Sequence, residues 1–225
     1  ITGSNDAPVV TGAVLATAYW YLGRETTLQM LVQRVANASG GSIVVTGVTG
    51  SLYGAMHMDR IVYRSPERTI TANNIDIDWS PWQYMSSGIA ISKLHAASVR
   101  LDMLKKSDEP LKMPASLKPP FTLSIADARL ATMTVVNAGA ETLVRDIRFK
   151  LHGDKQKWEL RDASAFTPWG RAAVSGSIEA SRPFKLEAAA SLVETEAKAG
   201  QAPAQLSLRA GGDLSNTLVN FNGKA

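Results

Sequence analysis

Between residues 42 and 103 apolar and polar side chains alternate in strand after strand, and a period of two makes a coherent face only in an extended chain. Ile75, Ile77 and Trp79 fall on one side of their segment and Asp76 and Asp78 on the other. Val99, Leu101 and Met103 repeat the pattern against Arg100 and Asp102. Successive side chains of a strand point to opposite faces, so the segment is expected to build a sheet with one apolar and one wetted side. Turn signals at Thr49-Gly50-Ser51, Ser65-Pro66, Ser80-Pro81 and Ser86-Ser87-Gly88 separate its strands. With no helix-period segment between them, they predict an antiparallel meander in place of βαβ units.

The remainder of the chain divides around this stretch. Residues 105–120 (KKSDEPLKMPASLKPP) carry four prolines and mixed charge and read as a linker or a strap over the sheet. Alternation resumes at Phe121, Leu123 and Ile125 and recurs at Ile147, Phe149 and Leu151. It continues through Trp158 and Leu160, Val174 and Ile178, Phe184 to Leu192, and Leu206 to Ala210. These later strands are richer in alanine and glycine, so their apolar face is shallower, and 194–203 (ETEAKAGQAP) reads as a hairpin loop. The expected units are 1–23, 24–41, 42–104, 105–120 and 121–225, the last continuing beyond the chain, since both ends of the sequence read as cut.

Ahead of the strands, residues 7–23 hold no charge for seventeen positions and close on Tyr19, Trp20 and Tyr21. That length is the lower limit for a membrane-spanning helix, and the aromatic trio suits a membrane–water interface. A single-pass anchor, a signal-peptide core with Ala16-Thr17-Ala18 as cleavage site, and a buried helix are the competing readings, the anchor leading. In 24–41, Leu28, Leu31, Val32 and Val35 form the stripe of an amphipathic helix that Gly40-Gly41 ends. Such a helix most often caps a domain core; after a membrane anchor it can instead lie at the bilayer surface or plug one end of a sheet.

Composition narrows the function. The 24 Lys and Arg against 20 Asp and Glu leave a net charge of +4, spread along the strands and not gathered into a stripe, which argues against nucleic acid as a partner. With no cysteine, disulfides, thiolate metal sites and cysteine nucleophiles are excluded. His57, His95 and His152 lack a second ligand at metal spacing, and His57, between Met56 and Met58, reads as a solvent-facing strand residue. Asp76 and Asp78 lie roughly 7 Å apart by strand geometry, close enough for acid–base work. Both point to the wet side, where solvent is expected to hold their pKa values near normal. No G-x-S-x-G elbow, phosphate loop or H-E-x-x-H motif is present. The expectation is therefore no enzyme, no cofactor and no metal.

A set of ordered motifs adds to this reading: Val48-Thr49-Gly50-Ser51-Leu52-Tyr53-Gly54, a strand to Ile61-Val62-Tyr63, Ile70-Thr71-Ala72, Ile75 to Pro81, and Gly88-Ile89-Ala90-Ile91. Further along come Thr167-Pro168-Trp169-Gly170, Val174-Ser175-Gly176-Ser177-Ile178 and Gly211-Gly212-Asp213-Leu214. Together they resemble the N-terminal region of the TamB/AsmA-like family of bacterial envelope proteins. The resemblance implies an inner-membrane anchor and a periplasmic β-taco, an elongated curled sheet enclosing a groove. It also implies movement of phospholipid towards the outer membrane and pairing with a TamA-like outer-membrane barrel protein. The family has no known catalytic residues to carry over.

Moving acyl chains through water costs about 0.8 kcal/mol per methylene, so a two-chain phospholipid faces a barrier on the order of 20 kcal/mol. An apolar groove removes most of it. The expected lining is Ile75, Ile77, Trp79, Ile89, Ile91, Val99, Leu101, Met103, Phe121, Leu123 and Ile125. Pattern alone favours a β-sandwich with these residues in a dry core; the resemblance reverses that preference to the groove. The alternative function is a scaffold that binds outer-membrane protein substrates by adding their strands to an open sheet edge.

Overall fold

A computed structural model describes residues 23–80, 88–104, 114–195 and 202–224. Within them one α-helix precedes eleven β-strands. Helix α1 (Glu25–Ala38) forms where Leu28, Leu31 and Val32 share a face, and it ends before Gly40 and Gly41, whose positive φ angles of 63° and 86° a side chain tolerates poorly. Leu28 is buried at 2 % exposure, whereas Val35 remains 59 % exposed. The expected stripe is used mainly through its first two turns, where Leu28 and Val32 pack against the cluster of Val48, Met58 and Ile75.

At 14 residues α1 is too short to span a bilayer, and among the described residues no helix is long and apolar enough to do so. This overturns the expected single-pass inner-membrane localisation. The expected interface anchor Tyr19, Trp20 and Tyr21 lies outside the described residues.

The strands are β1 (Ile43–Gly50), β2 (Ala55–Arg64), β3 (Arg68–Ser80), β4 (Ile89–Met103), β5 (Leu123–Asn137), β6 (Ala140–Gly153), β7 (Lys157–Thr167), β8 (Gly170–Glu179), β9 (Lys185–Val193), β10 (Gln205–Asp213) and β11 (Thr217–Lys224). They form one open sheet in sequence order. The expected antiparallel meander holds for every neighbouring pair except β4 and β5, which run parallel. A parallel pair needs a crossover of a dozen or more residues, and the connection 104–122 supplies it.

The ladder has a break that runs straight across it. Gly47, Asp59, Asn74, Ala97, Ala131 and Asp146 are opposed in turn on β1 to β6, yet each is skipped by the pairing on either side of it. All six are exposed. Three of them, Gly47, Asn74 and Asp146, have left-handed φ angles of 64°, 49° and 50°. A left-handed residue inside a strand turns the following side chain to the other face, as a bulge does. Apolar residues three apart therefore end on one side: Val45 with Val48, Ile61 with Met58 and Ala72 with Ile75 all pack into one cluster with Leu28. The alternation read from the sequence holds between breaks of this kind; it inverts at this crease and again at the irregularities beside Asp78/Trp79 and Ile125/Ala128.

Gly47 is held to glycine twice. Its φ is left-handed, and the Asp59 carboxylate occupies the place of a β-carbon. Gly47→Ala is expected to lower unfolding free energy by more than about 1 kcal/mol in urea titration. Gly54→Ala, which meets nothing within 4 Å and has no left-handed φ, is expected to stay within about 0.5 kcal/mol. Equal effects at the two glycines would show that the crease is not under this constraint.

Candidate functional site

Residues directly opposed on neighbouring strands share a face, so the register itself maps the apolar surface. Ile77, Ile75, Ala72 and Ile70 of β3 oppose Leu94, Ala96, Val99 and Leu101 of β4. Those four oppose Ala128, Leu130, Met133 and Val135 of β5. Phe149, Ile147 and Val144 of β6 continue the first three rows. Nearer the other end, Trp79 opposes Ile91, Ile91 opposes Ile125, Ile125 opposes Leu151, and Leu151 opposes Leu160. Bulges at Asp78/Trp79 and Ile125/Ala128 keep these rows in phase.

Ten of the expected lining residues therefore lie on one face: Ile75, Ile77, Trp79, Ile89, Ile91, Val99, Leu101, Met103, Leu123 and Ile125. Phe121 does not belong to the ladder; it is an exposed residue before β5. Sequence reading missed Leu94, Leu130, Met133 and Val144. Their signal was the apolar pair three apart (Ala96 and Val99, Leu130 and Met133, Val144 and Ile147), which a search for strict alternation passes over. The face continues through Gly176, Ala188 and Ala210, where small residues make it shallower as expected.

Burial along this face is uneven. Val48, Met58 and Ile75 are buried beneath Leu28 of α1, so the helix caps the β1 end. Gln29 Nε2 also donates to the Val48 carbonyl at 3.0 Å, satisfying an acceptor of the edge strand. Ile125, Ala128, Ala180 and Phe184 are also buried, the last two in the connection between β8 and β9. Here the described part of the crossover is fastened: Leu117 N donates to Ala180 O at 2.9 Å, and Trp158 Nε1 donates to Leu117 O at 2.7 Å. The Trp158 ring fills the space over Gly153, its cross-strand partner, which leaves no room for a β-carbon there. Between these regions the apolar side chains are mostly half-exposed, and no second sheet lies among the described residues. The indole N–H of Trp79 is buried with no acceptor among them.

The opposite face carries a polar ladder. His57 Nδ1 lies 2.9 Å from Asp76 Oδ1, and His57 Nε2 lies 3.3 Å from Asp59 Oδ1. Asp76 opposes His95, whose Nε2 is 2.9 Å from Asp127 Oδ2, and Asp127 Oδ1 accepts from Arg129 Nε at 3.0 Å. His57 is thus a ladder member on the wet side, beyond a plain solvent-facing residue. Its hydrogen bond with Asp76 raises its pKa. The same bond lowers Asp76, contrary to the expectation of a near-normal carboxylate. Asp127 is lowered first by His95 and then by Arg129. No group of three or more metal-ligating side chains is assembled among the described residues.

No family model matches the chain, and neither curated proteins nor solved structures give a match to it.

The polar ladder makes stability depend on pH in a defined window. His57 titrates above its ordinary 6.5, so its contribution is complete below that value and is lost as pH rises through the raised one. Asp76 and Asp127 titrate below their ordinary 3.8, so theirs is present above that value and is lost as pH falls through the lowered ones. Thermal melts are expected to show a midpoint that declines from about pH 5.5 to about pH 8, with a shallower decline in Asp76→Asn. An unchanged slope in that variant would exclude His57–Asp76 as its source.

Proposed function

We propose that the chain is a bridge-like lipid carrier of the bacterial envelope, whose sheet curls into an elongated trough and holds phospholipid acyl chains against its apolar face. The observation that carries this reading is the continuity of that face: the rows that start at Trp79, Ile77, Ile75, Ala72 and Ile70 cross from β3 to β6 without a charged residue, charge entering only at the end row, where Arg68 opposes Met103. Two features favour a curl. The crease crosses six successive strands, and left-handed residues and bulges bend the strands that contain them. The half-exposure of the central rows leaves them open to a ligand that supplies the missing contacts.

The physical role follows from the cost of hydrating acyl chains. A chain laid along Leu101, Val99, Ala96 and Leu94 trades water for methyl and methylene groups at each step, recovering about 25 cal/mol for each Å² covered. Movement along the face needs no catalytic group, only the absence of a polar gap. The resemblance to the TamB/AsmA-like family motivates the direction, towards the outer membrane, and a TamA-like barrel as the receiving partner.

The test is native mass spectrometry of the chain purified without detergent. Phospholipid adducts are expected on the parent chain. Leu101→Asp and Ile77→Asp are each expected to reduce them several-fold with an unchanged far-ultraviolet circular dichroism spectrum. A parent chain that carries no lipid, or variants that keep it, would contradict the proposal.

A further inference from the structure

The apolar face is unlike at its two ends. At one, Ile89 opposes Leu123, Leu123 opposes Gly153, Gly153 opposes Trp158 and Trp158 opposes Ile178, so the face runs out on apolar or small residues. At the other, Arg68 opposes Met103, and Met103 opposes Asn137. Followed through the ladder from β1 to β11, Arg68 is the one paired charged residue, among those described, that falls on the apolar side. The charges around it keep to the other side: Arg64 and Asp102 oppose Thr69, and Arg100 opposes Thr71. Burial and pairing do not account for the exception. Arg68 is exposed, and its backbone is bonded to Ser65, but its guanidinium has no partner among the described residues. Asn137 shares its row two strands away, and Tyr63, opposed to Ile70, is its diagonal neighbour. Both side chains can donate a hydrogen bond, and neither carries negative charge.

We propose that Arg68 is a subsite for the phosphodiester of a phospholipid whose acyl chains lie along the rows from Leu101 to Leu94. This rests on the lipid-carrier reading and adds to it which way the lipid lies: headgroup at the Met103 end, chain termini towards Ile91. A guanidinium meets two phosphate oxygens with parallel N–H bonds, and it does so better than an ammonium, which acts as a point charge. Beside a surface from which acyl chains have displaced water, the attraction is less screened than in bulk solvent. An apolar ligand has no need of this charge. A soluble phosphate has no use for the uncharged rows that begin at Ile70 and Leu101, directly beside Arg68 and Met103. Cation and rows together fit one molecule that is anionic at one end and apolar along its length.

The probes are dioleoylphosphatidylglycerol and dioleoylglycerol, which share their acyl chains and differ in the phosphate-bearing headgroup. They are offered together to the detergent-free chain and counted by native mass spectrometry. The parent is expected to take up both. Arg68→Gln is expected to lower the ratio of phospholipid to diacylglycerol adducts several-fold, with Arg68→Lys between the two. Arg64→Gln removes the same charge from the polar face and is expected to keep the parent's ratio. Added inorganic phosphate is expected to leave the phospholipid in place. An unchanged ratio in Arg68→Gln, or an equal fall in Arg64→Gln, overturns the subsite while the lipid-carrier reading stands, since the chain still binds lipid. If Arg68→Gln misfolds, a ratio unchanged in Arg68→Lys overturns it. Displacement of phospholipid by inorganic phosphate assigns Arg68 to a soluble anion and overturns it likewise. A parent chain that takes up neither lipid overturns both the subsite and the carrier reading.

Discussion

Every row of this sheet depends on one constraint: opposed side chains on neighbouring strands share a face, so a strand cannot change phase alone. At residues 47, 59, 74, 97, 131 and 146 six strands change phase together. Had any one kept strict alternation, its apolar set beyond that point would have met the polar set of its neighbours. The coordinated break keeps Val99 with Ala72 and Met133, and keeps Arg100 on the other side with Thr71 and Thr134. The residues at the crease fit their task. Gly47, Asn74 and Asp146 are the types that tolerate a left-handed backbone, and Ala97 and Ala131 are small.

The two faces divide the physical work. The apolar one is buried where α1 packs on it and is mostly half-exposed along the central rows, while Leu117 of the crossover is hydrogen-bonded to Ala180 and Trp158. The polar one is tied by cross-strand ion pairs, among them His57–Asp76, His95–Asp127 and Arg100–Glu141. Pairs this exposed contribute little individually. Placed between adjoining strands, or in Arg100–Glu141 across β5 from β4 to β6, they favour the register in which the apolar rows coincide. The pH dependence of the His57–Asp76 pair is therefore a readout of sheet registry on the polar face.

Much of the sheet was legible in the sequence because turn residues punctuate it. Ser65-Pro66 falls between β2 and β3, and Thr49-Gly50 closes β1. Residues such as Ile75 and Ile77, or Val99 and Leu101, were legible as sharing a face because each group lies in a stretch where the period of two is intact. Three features were not legible. The parallel β4–β5 pair depends on where a proline-rich connection returns the chain, and composition does not encode that. The crease is spread over six strands and needs the register to be seen, although apolar pairs three apart marked it locally. The role of His57 depended on a partner nineteen residues away, which only the β2–β3 pairing brings opposite.

The most direct test of the account is site-specific photo-crosslinking along β4 with a phospholipid-containing membrane extract present. A photoreactive residue at Ala96, Val99 or Leu101 is predicted to capture phospholipid, and one at Ser98 or Arg100 is predicted not to. The pair 96 and 99 matters most, because strict alternation sets them on opposite faces and the crease sets them on one. Capture at 99 and 101 without 96, or equal capture at Arg100 and Leu101, would contradict a single lipid-bearing face that survives the change of phase.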